Sequence, residues 1–425
     1  MLLVMNFRRY LYMPSKSFVR ALIIVITLIL IFTLTYQVFL AHGDQMSNSW
    51  PMFGHDPQRT GQTKSSVVDV SQLLWKYKTG SYVTSSPAVV DGSVYFGSWD
   101  NYVYSLDAKS GDVNWKYETG DSVSSSPAVV DGVLYIGSYD SYVYALDAKK
   151  GHLIWKYKTG DGVVSSPVVI DGKIYIGSLD FEMYCLDIGT RNIVWKFKTD
   201  GSVYSSPSIA DGKVYFGSQD NYVYALEAEN GSLLWRFKTE DTMVYAPSLS
   251  EGSVYVGSLD NYTYSLDAEN GSLNWKYNMS GWIHATPTLA DGKLFIGSDN
   301  SYVYALNAKN GSLIWTYKAG DSIAATMAFA NGVIYSGSDD YYIVALDAKN
   351  GTLLSRFKTE DTICSSPAVV DGKVFVGSDD FYIYALGAEE KPLLPSFGFY
   401  VVVIILSIGI GISTTYYYWH KHRPY

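Results

Sequence analysis

Seven tryptophans recur every 40 residues without a slip: Trp75, Trp115, Trp155, Trp195, Trp235, Trp275 and Trp315. Ser355 holds the next place in the series. The same period carries an Asp-Gly pair, from Asp91-Gly92 to Asp371-Gly372, with Glu251 and Asn331 as variants. It also carries Gly97-Ser98 and its copies through Gly377-Ser378. Eight copies of one unit with no insertion between them restrict the chain to a repeat architecture, in which each unit buries its apolar surface on its neighbours.

The unit can be read from Ser125 to Thr159. Four short runs rich in Val, Ile and Tyr are separated by Asp131-Gly132, Tyr139-Asp140-Ser141 and Lys149-Lys150-Gly151. That punctuation predicts four strands joined by tight turns. Between residues 70 and 390 no stretch sustains a helical period. Four strands in 40 residues describe one blade, so the expected fold is an all-β, eight-bladed β-propeller over residues 73–388. Leu73–Thr79 is a fourth strand with no blade before it, and the last unit supplies three strands. The early strand is therefore expected to complete the last blade and remove a raw edge.

Ala145-Leu-Asp-Ala-Lys-Lys-Gly-His-Leu-Ile-Trp155 resembles the tryptophan-docking motif of PQQ-type (pyrroloquinoline quinone) repeats, and Trp50-Pro-Met-Phe-Gly-His-Asp-Pro-Gln-Arg-Thr-Gly61 is similar to the lead-in of secreted PQQ-like propellers, BamB-like proteins among them. The resemblance spans roughly residues 73–387 and implies that each of the seven tryptophans docks between neighbouring blades. Ser355 breaks the rule in the seventh blade, where Met327 also replaces the usual Pro, so that blade is expected to be the least well packed. Enzymes of the wider family use pyrroloquinoline quinone with calcium, and many carry an adjacent cysteine pair. This chain has no Cys-Cys, and its strict period leaves no room for long active-site loops. No cofactor and no catalytic residue are expected.

The ends of the chain read differently. Residues 1–20 are basic, and 21–41 form an apolar run that is either a transmembrane anchor or a signal peptide. Residues 42–72 are the lead-in, 389–396 a linker, 397–419 a second apolar run expected to be a transmembrane helix, and 420–425 a basic tail. Both basic flanks lie away from the propeller, so the positive-inside rule predicts an extracytoplasmic propeller with the tail in the cytoplasm. Six bases and no acid lie in those ends. The rest of the chain then has 41 acids against 32 − 6 = 26 bases, a net charge of −15. That balance argues against nucleic acid as a partner. The two cysteines, Cys185 and Cys364, lie three blades apart and are not expected to pair.

Two aspartate series recur on the loops: Asp100, Asp140, Asp180, Asp220, Asp260, Asp340 and Asp380 in one, Asp121, Asp161, Asp241, Asp321 and Asp361 in the other. A cation-binding ring and ordinary turn chemistry both fit them, and repetition in nearly every blade favours the turn. The innermost strand begins Ser-Ser-Pro in five units. Departures from that pattern at Tyr204, Tyr245, Trp282 and His284, with Trp99, Tyr139, Phe181, Tyr341 and Phe381 on the loops, mark a candidate partner-binding face. The expected function is a membrane-anchored interaction scaffold for a protein or a cell-envelope glycan. A quinoprotein dehydrogenase and an architectural surface protein are the alternatives. Six Asn-x-Ser/Thr triplets, at Asn230, Asn261, Asn270, Asn278, Asn310 and Asn350, fit the N-glycosylation pattern. Four of them precede Gly, where Asn is also good turn chemistry.

Overall fold

The computed structural model describes residues 49–66, 69–242 and 245–387. The segments read as 1–20, 21–41, 389–396, 397–419 and 420–425 lie outside the described residues, as does the start of the lead-in. Among the described residues no helix is long and apolar enough to cross a membrane.

The described chain is β throughout and forms eight sheets arranged as blades. Blade 2 is representative. Its strands run Ala128–Val130, Val133–Gly137, Tyr142–Asp147 and Leu153–Lys158, each antiparallel to the next. The second and third strands are buried almost throughout, because blades stack on both of their faces. The fourth strand alternates and shows lysine to solvent, which protects an open edge. Asp131 and its counterparts take φ near 50° in the turn after the first strand, as a tight hairpin requires.

Closure follows the expected route. The strand Leu73–Lys78 pairs antiparallel with Tyr382–Gly387, the third strand of blade 8, with Trp75 opposite Ala385. The first and last repeats are thereby joined by a hydrogen-bonded ladder.

The tryptophans dock as expected. Trp115 lies against Tyr95 of its own blade, with ring centroids 6.0 Å apart. Its indole N–H donates to the Ala148 carbonyl of the next blade at 2.9 Å. Its ring also covers Gly151, where an added Cβ would come within 2.5 Å of it. Trp75, Trp195, Trp235, Trp275 and Trp315 donate in the same way to Ala108, Ala228, Ala268, Ala308 and Ala348. The glycine sits in the turn between the third and fourth strands, so docking needs that turn to be present.

This explains the exception at Ser355. The blade after it is blade 8, whose fourth strand comes from the other end of the chain and so has no such turn. The arriving chain occupies the place instead. Val70 is fully buried, its N–H donates to Ser355 Oγ at 3.1 Å, and it packs in one core with Tyr335 and Ala345. Blade 7 also gains a fifth strand, Gln62–Thr63, parallel to Ala328–Ala330. The expectation of a poorly packed seventh blade is therefore corrected: the missing indole leaves room that the lead-in fills.

The Ser-Ser-Pro motif ties the ring internally. Ser85 Oγ donates to the Ser125 carbonyl at 3.0 Å, and Ser126 Oγ accepts from the Ser86 N–H at 2.9 Å. The Ser366 N–H completes the circuit on Ser86 Oγ at 2.9 Å. Where Ala246 lacks a hydroxyl, the tie moves two residues along the strand: Ser208, Ser248 and Thr288 donate to the Pro247, Pro287 and Met327 carbonyls.

Two substitutions of opposite kind are both expected to destabilise the fold. Trp235→Ala should cost about 3–5 kcal/mol, as for a buried aromatic truncated to a cavity. Ser355→Trp, which restores the repeat consensus, should also destabilise, because Val70 already occupies the space. Urea denaturation of the two variants checks both; a more stable Ser355→Trp protein would contradict the account of the closure.

Candidate binding mouth on the loop face

Each innermost strand has no neighbour on the axial side, so its inward N–H groups need partners. The lead-in supplies them. Trp50 and Val89 of blade 1 exchange backbone hydrogen bonds at 2.7 and 2.8 Å. The N–H groups of Val129, Ile209, Leu249, Leu289 and Phe329 then donate to the carbonyls of Pro51, Pro57, Gln58, Thr60 and Gly61, at 2.8–2.9 Å. The segment thus visits blades 1, 2, 4, 5, 6 and 7 in order, always one residue or two from the Asp-Gly turn. It lines the turn-face end of the axis.

Blade 3 is engaged by a side chain. Arg59 is fully buried and donates to the carbonyls of Ser166, Pro167, Pro207 and Phe53. Burial lowers its pKa to about 9, partly offset by Asp56, so the guanidinium stays charged at neutral pH. Asp56 also accepts from the Thr60 backbone and hydroxyl. Gly61 has φ 69°, and a Cβ there would stand 3.0 Å from the Met327 carbonyl. The Trp50–Gly61 motif is therefore a plug whose residues have assigned places, a role that its sequence alone did not disclose.

The other end of the axis is bounded by residues that precede the innermost strands. Tyr204, Tyr245, Trp282 and His284 come together there. The Tyr245 hydroxyl and His284 Nδ1 are 3.1 Å apart, and His284 Nε2 is 3.1 Å from Asp299 Oδ2. Trp282 meets the His284 ring edge-on at 6.2 Å and is 55% exposed. Trp99 and Tyr139 face each other at 5.9 Å, and Trp99 donates to Thr84 Oγ1 at 2.9 Å. Tyr82 bridges Trp99 and Phe381. Phe181, Tyr341 and Phe381 share the left-handed third position of the loop between second and third strands, with φ 73–75°. Phe181 and Tyr341 are exposed there.

The aspartate series of Asp100 is structural. Its Oδ2 accepts from Gly80 N–H at 2.7 Å and from the Tyr104 hydroxyl at 2.6 Å, and its Oδ1 accepts from Tyr102 N–H at 3.1 Å. Asp140 and Asp380 repeat the pattern. Among the described residues no group of three or more His, Cys, Asp or Glu is arranged to hold a metal ion.

A third series, one residue earlier, was not singled out by sequence reasoning. This position is Trp99, Tyr139 and Leu179 in blades 1–3, but Asp299, Asp339 and Asp379 in blades 6–8. Blades 1–3 give the mouth an apolar and aromatic arc; blades 6–8 give it an acidic arc that adjoins the first where blade 8 meets blade 1. Asp339 and Asp379 are half-buried, and one carboxylate oxygen of each is sealed from water without a hydrogen-bond partner. Burial raises the pKa of both; neighbouring carboxylates add to this, Asp321, Asp299 and Asp379 for Asp339, and Asp361 and Asp380 for Asp379. The signal was available in the sequence as a break in period, but three separated aspartates look unremarkable until the ring brings them together.

Two groups of the mouth, Tyr245 and Cys364, are held toward their protonated forms. The Tyr245 phenol is pushed well above its ordinary value, by burial first and then by Cys364 and Asp299. Cys364 is open to the mouth, but partial desolvation there, with Asp379 and Asp339, raises its thiol to about 12. Cys185 is buried elsewhere and also unpaired. Without a bridging cation, the carboxylates of Asp299, Asp339 and Asp379 would disfavour a tricarboxylate such as pyrroloquinoline quinone in this lining.

An eight-bladed propeller with docking tryptophans and a threaded lead-in is the architecture these features define. Comparison with known proteins agrees. Residues 61–247 match a family model described as the β-propeller of beta-alanine-activating enzyme, and residues 233–328 and 299–391 match one described as outer membrane protein assembly factor BamB. The chain is a β-propeller whose residues 233–391 match PQQ-like repeats. Among solved structures, BamB from Moraxella catarrhalis is 17% identical with a TM-score of 0.65, over 75% of this chain and 99% of that one. Quinohemoprotein alcohol dehydrogenase from Comamonas testosteroni is 15% identical with a TM-score of 0.72, over 84% and 83%. A europium-containing methanol dehydrogenase is 14% identical with a TM-score of 0.70, over 80% and 98%. At these identities the likeness is one of fold. No curated protein matches the chain in sequence.

Two measurements test the electrostatics. The folded state holds protons on Asp339 and Asp379 more tightly than the unfolded chain, so their contribution favours folding at low pH and is lost as pH rises through the folded values. The double variant Asp339→Asn, Asp379→Asn should therefore be more stable than wild type at pH 7, with the advantage shrinking toward pH 4, as read by urea denaturation. Cys364 should alkylate at pH 8 at least roughly tenfold more slowly than a free thiol, because so little thiolate is present. Asp379→Asn should accelerate it.

Proposed function

We propose that this protein is an interaction scaffold that binds a partner protein at the loop-face mouth by receiving a cationic side chain. The observation that carries the reading is the split of one repeat position into an aromatic arc at Trp99 and Tyr139 and an acidic arc at Asp299, Asp339 and Asp379. A lysine or arginine entering between them would gain cation–π and charge-assisted contacts at once. Wild-type carboxylates whose burial costs stability are what such a ligand would relieve. Trp282, exposed beside His284, suits the anchoring role that aromatic residues play at interfaces.

Binding without turnover fits the chemistry of the mouth, where the phenol and the thiol are both shifted away from their reactive forms. The fold is common to BamB and to alcohol dehydrogenases, so the fold leaves the choice to the site. The apolar runs at 21–41 and 397–419 would hold the propeller at a membrane, on its extracytoplasmic side. Gly387 donates to the Gln72 carbonyl at 3.0 Å, so both ends of the ring meet at the turn face.

Cross-linking on intact cells of the natural source provides the test. Wild type is expected to capture a reproducible protein partner, and capture should fall at least about tenfold in Trp282→Ala, Tyr245→Ala, consistent with loss of an aromatic hot spot. Asp339→Asn, Asp379→Asn should weaken it as well, and raised ionic strength should do the same to wild type. High surface abundance with no partner would favour an architectural role. Dye reduction with alcohols or sugars after adding pyrroloquinoline quinone and calcium would overturn the non-enzymatic reading.

A further inference from the structure

The turns between third and fourth strands have one backbone design in blades 1–7. The N–H two residues before the turn tip region donates across it, as from Asp107 to Asp112 O at 2.8 Å and from Glu227 to Ser232 O at 2.9 Å. In blades 4–7 the turn carries Asn230-Gly-Ser232, Asn270-Gly-Ser272, Asn310-Gly-Ser312 and Asn350-Gly-Thr352. In blades 1–3 the Asn position holds Ser110, Lys150 and Thr190, and the position two later holds Asp112, His152 and Asn192. A hydroxyl residue thus follows at the second position in all four turns with Asn and in none of the three without it.

Turn chemistry accounts for the asparagine but not for this pairing. Each Asn Oδ1 accepts from the backbone N–H of the hydroxyl residue, at 2.8–3.0 Å. The hydroxyl residue serves the turn through its backbone alone, a part that Asp112, His152 and Asn192 play equally well. Among the described residues, no hydrogen bond is recorded for the four hydroxyls or for the four carboxamide nitrogens. All eight residues are exposed. Asn261-Tyr-Thr263 makes the contrast: Thr263 is fully buried, so that triplet cannot present its hydroxyl.

We infer that these four turns are acceptors for N-linked glycans, forming an arc of sugar across the turn face of blades 4–7. The donor is a sugar carried on a lipid phosphate or diphosphate, and a transferase of the host supplies the catalysis. Nδ2 forms a bond to the anomeric carbon. The bond from that carbon to the phosphate oxygen breaks, the electron pair leaves with the phosphate, and Nδ2 gives up one proton. No oxidation state changes. The hydroxyl at the second position is the recognition element that the acceptor pattern requires. Hydrophilic chains on this side would leave the mouth on the opposite face unobstructed.

Peptide mass spectrometry of the full-length protein purified from its natural source decides the matter. Carbohydrate mass on any of Asn230, Asn270, Asn310 or Asn350, lost when the matching hydroxyl is removed (Ser232→Ala, Ser272→Ala, Ser312→Ala, Thr352→Ala), supports the assignment. These variants keep the Asn-Gly turn, so their unfolding midpoints should not move when they are made in a host that does not glycosylate. Four unmodified asparagines, or mass retained after loss of the hydroxyl, would overturn it. Neither result bears on partner capture at the mouth, which is read through other residues.

Discussion

The contact between an indole and the glycine turn of the next blade governs this structure. For six of the seven indoles it forces a close approach to a glycine, while Arg191 at φ 62° holds that place after Trp155, and it ties the geometry of each repeat to its successor. A 40-residue period without insertion follows, since a longer turn at that point would lift the chain off the indole. The single omission, at Ser355, falls where ring closure removes the turn. A chain that closes with its own early strand cannot offer a covalent turn at the seam, and the tryptophan that would need one is absent.

The axis poses a second constraint. The inner strands of blades 1, 2, 4, 5, 6 and 7 turn backbone donors toward the axis. The lead-in meets this demand with a path along the ring, its carbonyls spaced to suit successive strands, and Arg59 reaches the blade that the backbone passes by. A guanidinium without a carboxylate partner in hydrogen-bond range is tolerated because several carbonyls share its donors. The consequence for function is a ring approached from the loop face, where symmetry is relaxed.

Recognition needs asymmetry, and the repeat supplies it sparingly. The residues that hold the blades, such as Asp100 with Gly80, Tyr102 and Tyr104, are nearly invariant from copy to copy within this chain, and each polar atom is used. The mouth departs from that economy. Asp339 and Asp379 each have an oxygen that nothing in the fold satisfies, and the ring of Trp99 is left partly in water. Groups that the fold buries and leaves partly unsatisfied are the natural candidates for contact with something else.

The periodic features were legible in the sequence: the blade count, the closing strand and the docking tryptophans follow from spacing, because a repeat translates linear period into spatial order with little ambiguity. The cluster of Tyr245, Trp282 and His284 was legible for the same reason, as departures from a pattern in successive units. What spacing could not convey was anything that depends on the ring bringing distant copies face to face. Asp299, Asp339 and Asp379 acquire meaning only when closure sets them in one ring with Trp99 and Tyr139. The lead-in motif was visible as a motif, but its course past the inner strands depends on hydrogen-bond donors contributed by residues up to Phe329. Local periodicity is written along the chain; complementarity across an axis is decided when the chain closes.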